Sequence, residues 1–147
     1  FNLLLRKWRQ SQYRSYAIGY LAFHGSSGRI HLGRRSVSLD QLAEVMNGAC
    51  RGKILHFGAC SVLDVGRAEM EEFRRAIGAR CVMGYTLDVD WMVSTAFDLI
   101  VFDRLTNRKR LDAVERDLKQ HKELAKSLGF KMYYGQPMRR RRVATQK

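Results

Sequence analysis

The stretch that decides the fold is Lys53-Ile54-Leu55-His56-Phe57-Gly58-Ala59-Cys60-Ser61, an apolar run that ends in small residues. A short, nearly continuous apolar run is typical of a strand that is buried on both faces of a parallel sheet. Two similar runs flank it: residues 16–23 precede it and end at His24-Gly25, and Arg80–Gly84 follows it. The three runs predict three strands of one sheet.

Helical patterns lie before and between these strands. Apolar residues at roughly helical spacing predict an amphipathic helix in residues 1–15. The residues Ser38-Leu39-Asp40-Gln41 have the sequence of a capping box and predict a helix that runs to Met46. Another helix is predicted around Ala68–Ile77. Strands that alternate with helices predict an α/β domain with a mostly parallel sheet and helices on both faces.

Four further elements complete the predicted domain. The segment Arg29–Leu32 lies between two glycines and is predicted to be a short extended piece. After the third strand we expect a largely buried helix at Met92–Leu105 and one surface helix at Leu111–Leu128. A last strand is predicted at Phe130–Tyr134.

The composition fits one globular domain. The chain has 147 residues, 46% of them hydrophobic, which predicts a single domain over residues 1–136 and a basic tail over residues 137–147. No apolar stretch approaches the ~18 residues of a membrane span, so no membrane partner is predicted. Three cysteines without a C-x-x-C spacing argue against a disulfide framework and a zinc site. We therefore expect a reducing, cytoplasmic location, with no metal and no cofactor.

The net charge of +13 is unevenly distributed along the chain. Residues 1–35 carry +7, residues 36–103 carry −4 and residues 104–147 carry +10. Basic ends attract nucleic acid or another acidic partner through non-specific electrostatics. An acidic middle favours a cationic partner at the centre of the domain. The charge pattern leaves both interpretations open.

Two reactive side chains directly follow predicted neighbouring strands. His24 follows the first strand and Cys60 follows the second. Because loops at the carboxyl ends of neighbouring parallel strands meet at one edge of the sheet, we expect the two side chains to lie together. An imidazole that takes the proton of a thiol makes it a strong nucleophile. The N–H groups of Gly25 and Cys60 are predicted to stabilise a developing oxyanion.

Three ordered motifs carry a resemblance to a known family: Tyr20-Leu21-Ala22-Phe23-His24-Gly25, then residues 54–61, then Gly78-Ala79-Arg80-Cys81-Val82-Met83-Gly84. Over about residues 15–106 the chain resembles the caspase-like cysteine peptidases, most closely the CHAT domains. The resemblance implies a three-layer caspase-like sandwich, with His24 as general base and Cys60 as nucleophile. Family members carry additional strands before the position where this chain starts, so the resemblance leaves open whether N-terminal strands are lacking.

The resemblance also suggests a specificity pocket. Leu87-Asp88-Val89-Asp90-Trp91 lies where related peptidases build part of the pocket for the residue before the scissile bond. An acidic pocket selects Arg or Lys, and Asp90 is the first choice for this role, with Asp88 second. The alternative is that either aspartate caps the helix that starts near Met92.

The functional prediction is a cysteine endopeptidase that cleaves polypeptides after a basic residue through a Cys60–His24 dyad. Regulation of such families by attached domains implies a regulatory domain or subunit as a partner. The alternative is an inactive caspase-like module that binds nucleic acid or an acidic protein through its basic ends. Cys60 is followed by Ser61-Val62, whereas other residues follow the cysteine in animal caspases. The resemblance therefore does not imply specificity for aspartate.

The remaining cysteines and histidines receive structural interpretations. Cys50 and Cys81 are predicted to be structural, and His56 is predicted to be a core histidine with a backbone partner. His31 follows His24 closely and could face the same edge. Without the strand pattern, Cys60 itself would be interpreted as a small buried hydrophobe.

Overall fold

The computed structural model describes residues 2–135, which form both helices and strands. In chain order the elements are α1 (Asn2–Lys7), β1 (Ile18–Leu21), β2 (His24–Ser26), β3 (Arg29–Leu32), β4 (Arg35–Ser38), α2 (Leu39–Met46), β5 (Ile54–Phe57), α3 (Arg67–Ile77), β6 (Cys81–Tyr85), α4 (Trp91–Asn107), α5 (Leu111–Leu118), α6 (Lys122–Ser127) and β7 (Phe130–Tyr134). The protein is an α/β domain, as its sequence predicts.

The main sheet has four strands in the order β1-β5-β6-β7. β1 is parallel to β5 and β5 is parallel to β6, whereas β7 is antiparallel to β6. In this register Leu21 pairs with Phe57, and Phe57 pairs with Gly84. The mostly parallel sheet is thus confirmed, and the predicted strands at 16–23, 53–57 and 80–84 are each found within one or two residues of their expected ends.

The sheet has a separate apolar core on each face. Leu55, Phe57 and Val82 pack on one face with the apolar residues of α1, α2 and α3. Ile54, Cys81, Met83 and Tyr85 pack on the other face with α4, α5 and the segment that leads into β7. Successive strand residues therefore point to opposite faces, and both faces are covered by helices.

A second, antiparallel sheet of three short strands, β2-β3-β4, follows β1. The sequence predicts only β3, the extended piece at Arg29–Leu32. β2 and β4 are short and mostly polar, with the sequences His-Gly-Ser and Arg-Ser-Val-Ser, so they lack the apolar run by which the longer strands are recognised. Gly28 and Gly33, both at positive φ, make the turns between the strands.

The two predicted surface helices differ from the observed ones. The helix predicted for residues 1–15 ends at Lys7, and a short 3₁₀ turn follows at Ser11–Tyr13. The single helix predicted for residues 111–128 is broken by a 3₁₀ turn at Lys119–His121. Polar residues lie at both breaks, at 9–12 and at 119–123, and give the buried stripe no apolar side chain to continue it, although Trp8 still packs against the core directly after α1.

The capping box is present as predicted. The Ser38 hydroxyl accepts a hydrogen bond from the Gln41 N–H, and the Gln41 side chain accepts one from the Ser38 N–H. The predicted basic tail at 137–147, with Arg139–Arg142, lies outside the described residues. Among residues 2–135 no helix is both long enough and apolar enough to cross a membrane.

Candidate active site

The carboxyl ends of β1 and β5 deliver His24 and Cys60 to one cleft. The Gly58 N–H donates to the Leu21 carbonyl oxygen at 3.0 Å, which holds the two strand ends side by side. Beyond this contact the segments that follow the two strands line a cleft of ≈ 410 Å³, and His24 and Cys60 are among its lining residues. The structure therefore brings together the two side chains that the strand pattern pairs.

Aromatic and apolar side chains form much of the cleft. Tyr20 lines it from β1 and Phe23 from the chain after β1, while Val89 lines it from the segment before α4 and Trp91 from the start of α4. The Cys60 side chain is partly accessible within this cleft, and Trp91 is 71% exposed. Cys60 therefore lies at a cleft that is open to solvent.

Gly25 is required where β2 passes the Cys60 turn. A Cβ atom built on Gly25 would lie 2.6 Å from the Cys60 carbonyl oxygen and 2.5 Å from a methyl group of Val62. Only glycine allows the two backbones to approach this closely without displacement. Gly25 thus packs directly against the Cys60 turn, and its contribution to an oxyanion hole stays a prediction.

The Cys60 N–H is free for an oxyanion in the described part of the chain. In this turn the Gly58 and Ser61 N–H groups both donate to backbone carbonyls, whereas no acceptor among residues 2–135 takes the Ala59 or the Cys60 N–H. A substrate oxygen at this position would receive a donor that the folded protein does not otherwise use.

The turn that carries Cys60 is tied to the segment before α4, residues 86–90, which we call the site loop. The Ser61 N–H donates to the Leu87 carbonyl at 3.0 Å, and the Ser61 hydroxyl donates to Asp88 at 2.6 Å. The Cys60 thiol lies 3.7 Å from the Val89 carbonyl oxygen. Ser61 also has a φ of 53°, a left-handed conformation that costs free energy in a residue with a side chain. These contacts hold a strained turn beside the sulfur.

The two aspartates proposed for specificity flank the part of the site loop that contacts Cys60. Asp90 caps α4, since its Oδ1 accepts from the N–H groups of Met92 and Val93 at 3.0 Å each. Asp88 accepts from the Ser61 hydroxyl. Neither aspartate lines the cleft itself, but both are exposed on either side of Val89, which does. The predicted capping role is therefore present in Asp90, and both carboxylates lie exposed next to a residue of the cleft.

His31 is a second imidazole in the same cleft. It pairs with His24 across the β2-β3 register, which places the two side chains next to each other on one face. Its Nε2 atom lies 3.1 Å from the Ser26 hydroxyl. His31 therefore has a hydrogen-bond partner of its own, and it is the natural control for the role of His24.

The other two cysteines differ from Cys60 in their surroundings. Cys50 and Cys81 are both fully buried, and burial raises the pKa of each thiol to about 12. At neutral pH both stay protonated and inaccessible, as expected of structural cysteines. Cys60 is the accessible thiol of the three.

Comparison with protein families gives a match over nearly the whole described chain. The sequence model of a family of unknown function, DUF6642, matches residues 1–134. The chain belongs to this family. Comparison with curated proteins gave no match. The match spans β1 through β7, so the cleft and the loops around it lie within the family's matched region.

A buried polar network lies beneath the cleft, and its centre is Asp98, a residue that no sequence motif indicated. Asp98 is 3% exposed on α4, and its Oδ1 lies 2.6 Å from Nε2 of the fully buried His56. The Tyr20 hydroxyl donates to Asp98 Oδ2 at 2.8 Å, and the Tyr85 hydroxyl also donates to this carboxylate. Burial and the Asp98 carboxylate raise the pKa of both tyrosines well above the usual value.

The network corrects the prediction for His56. The residue is a core histidine, but its partner is a side chain and not a backbone group. The available signal for the network was the position of Asp98 between the apolar residues Phe97 and Val101 of a predicted buried helix. A carboxylate that is buried there needs hydrogen-bond partners. Tyr20 stacks on the His56 ring, with centroids 5.3 Å apart, and also lines the cleft. The network thus supports one wall of the cleft from within the core.

Proposed function

We propose that this protein is a cysteine endopeptidase of the caspase-like, CHAT type. Cys60 is the nucleophile and His24 the general base, and the N–H groups of Gly25 and Cys60 stabilise the oxyanion. The observation that carries the proposal is the shared cleft at the ends of two adjacent parallel strands, which His24 and Cys60 both line. The proposed site requires neither a metal nor a cofactor.

The proposed reaction follows from these roles. His24 takes the thiol proton as the Cys60 sulfur attacks the carbonyl carbon of a peptide bond. The negative charge that develops on the carbonyl oxygen is stabilised by the two N–H groups. As the carbon–nitrogen bond breaks, the imidazolium gives its proton to the leaving amine. A water molecule, deprotonated by His24, then hydrolyses the thioester and releases the second product.

The strained turn supports a catalytic role for Cys60. Residues in unfavourable backbone conformations persist where surrounding contacts hold them, and they cluster at active sites. Ser61 is the only residue other than glycine with a positive φ in the described chain, and it directly follows Cys60. A structural cysteine would need neither this turn nor an accessible cleft.

The substrate is proposed to be a polypeptide with a basic residue before the scissile bond. The exposed carboxylates of Asp88 and Asp90 lie on either side of Val89, whose carbonyl oxygen contacts the Cys60 thiol. In each aspartate only Oδ1 accepts a hydrogen bond among the described residues, so Oδ2 is available to a Lys or Arg side chain. The proposed location is the reducing cytoplasm, where the three free thiols would stay reduced.

A panel of fluorogenic peptides tests both the activity and the preference. We expect peptides with Arg or Lys before the reporter group to be hydrolysed faster than matched peptides with Leu. In the Asp90→Asn variant we expect kcat/KM for the Arg peptide to fall about tenfold, because one carboxylate charge is lost. Asparagine still caps a helix, so α4 should be unaffected.

The controls separate charge from structure. Asp103→Asn removes the same charge from the exposed, distant end of α4 and should leave kcat/KM unchanged. The Leu peptide should be hydrolysed equally by the wild type and by Asp90→Asn. Hydrolysis of no peptide would contradict the proposed function, and equal hydrolysis of all peptides would contradict the basic preference alone.

A further inference from the structure

A second concave surface, which we call the basic groove, lies between α5, α6 and β7. Its volume is ≈ 730 Å³, and five cationic side chains line it: Arg67, Lys119, Lys122, Lys126 and Lys131. Glu115 is the one acidic residue in this lining. The cations come from α3, from the turn after α5, from α6 and from β7, so only the fold brings them together.

The positive charge of the basic groove is almost unneutralised within residues 2–135. Lys122 lies 3.7 Å from Glu123, but both side chains are highly exposed, and such a pair adds little. None of the other four cations forms an ion pair with a described residue. Glu115 instead accepts a hydrogen bond from the Tyr134 hydroxyl. Clustered like charges repel each other, so an anionic occupant would be stabilised here.

The floor of the basic groove indicates what kind of anion fits. Apolar side chains lie among the cations, including Leu87, Leu118 and Met132. A cationic rim around apolar positions fits a peptide that carries both carboxylates and apolar side chains. Two aromatic residues line the basic groove, and both pack inward: the Phe130 ring contacts Phe97 and Tyr85 in one core, and the partly buried Tyr133 packs against the core on the other face of the main sheet, so neither ring is presented for the base stacking that single-stranded nucleic acid uses. These contacts favour an acidic peptide over a nucleic acid.

The basic groove touches the same loop that holds the Cys60 turn. Thr86 and Leu87 line it, and the Thr86 N–H and hydroxyl both donate to the Gly129 carbonyl at 3.0 Å. On its other side this loop accepts the Ser61 N–H at Leu87 and approaches the Cys60 thiol at Val89. An occupant that contacts Leu87 therefore touches the residue whose carbonyl oxygen accepts the Ser61 N–H.

We propose that the basic groove binds an acidic, leucine-containing peptide segment of a partner protein and that the bound peptide orders the site loop. Its carboxylates pair with the lysines of α6 and β7, and its apolar side chains cover Leu87 and Met132. Regulation of hydrolysis by this peptide rests on the proposed function, whereas binding and loop ordering do not.

The test of binding uses a fluorescein-labelled peptide of repeating Glu-Glu-Leu units and measures its Kd by fluorescence anisotropy. We expect Lys122→Glu/Lys126→Glu/Lys131→Glu to weaken binding at least about tenfold. The matched control, Arg34→Glu/Arg35→Glu/Arg51→Glu, makes the same change in net charge at exposed positions outside the basic groove and should weaken binding much less. Equal weakening in both variants would overturn the proposal, as would the absence of binding.

Two further measurements complete the test. A labelled polyglutamate of equal charge and a labelled oligo-deoxythymidine should both bind more weakly than the Glu-Glu-Leu peptide, and tighter binding of either would overturn the assignment to an acidic, leucine-containing peptide. Hydrogen exchange at the Ser61 and Thr86 amides should slow when the peptide binds, because the Ser61 N–H donates to the site loop at Leu87 and the Thr86 N–H donates from the site loop to the Gly129 carbonyl. Unchanged exchange with bound peptide would overturn the ordering of the loop. Neither readout needs peptidase activity, so failure of the proposed function is detected separately.

Discussion

The Cys60→Ala variant is expected to lose peptide hydrolysis by about 10³-fold or more, because removal of a covalent nucleophile leaves only binding and the oxyanion donors. The side chain is partly accessible, so its truncation should hardly change the free energy of unfolding. The measurement is kcat/KM on the Arg peptide, with unfolding in urea followed in parallel.

Cys50→Ala is the matched control for this loss. It removes the same thiol from a fully buried site in the core that α1, α2 and α3 form with one face of the main sheet. The lost packing should cost about 1 kcal/mol of stability, while hydrolysis remains within a few-fold of the wild type. If Cys60→Ala kept the activity of the wild type, the role of Cys60 would be contradicted. If Cys50→Ala lost as much activity as Cys60→Ala, the loss would not report on the nucleophile.

Asp98→Ala is expected to be the most destabilising single change, with a loss of about 3–5 kcal/mol in the free energy of unfolding. The substitution leaves the fully buried His56 Nε2 without its partner and removes one acceptor from the buried Tyr85 hydroxyl, which keeps only the Ser94 carbonyl; the Tyr20 hydroxyl also loses its acceptor, but Tyr20 is partly exposed. Each buried polar group that loses its partner costs about 1–3 kcal/mol. Urea denaturation at neutral pH measures the change.

Asp103→Ala provides the comparison on the same helix. Asp103 is exposed, and it pairs with Arg104 and Asn107 at the surface. Its removal should cost no more than about 1 kcal/mol. Equal stability of Asp98→Ala and Asp103→Ala would mean that the network beneath the cleft does not stabilise the fold.

The main sheet was predictable because its strands are encoded locally. Leu55 and Phe57 are part of a run with no polar interruption other than His56, and such runs have few alternatives to a buried strand. β2 was not predictable, since His24-Gly25-Ser26 is polar and becomes a strand only through its pairing with β3. The break between α5 and α6 was not predicted because the apolar residues on both sides of Lys119–His121 keep helical spacing, and this spacing does not reveal the 3₁₀ turn between them.

The candidate site was predictable to the extent that strand ends determine it. The sequence predicts two neighbouring parallel strands, and the placement of His24 and Cys60 follows because such strands end at the same edge of a sheet. Asp98 is 42 residues from His56, and its partnership depends on which face of α4 meets the sheet. The basic groove likewise joins Arg67 to Lys131 across the sheet edge. Such long-range contacts require the packing of whole elements.

The central claim is that His24 activates Cys60, and the rate of Cys60 alkylation by iodoacetamide at neutral pH tests it most directly. Cys50 and Cys81 are fully buried with pKa values raised to about 12, so the fast reaction reports on Cys60. We predict that His24→Gln slows this reaction by about tenfold or more, and that His31→Gln leaves it nearly unchanged. An unchanged rate in His24→Gln, or an equal fall in both variants, would contradict the claim.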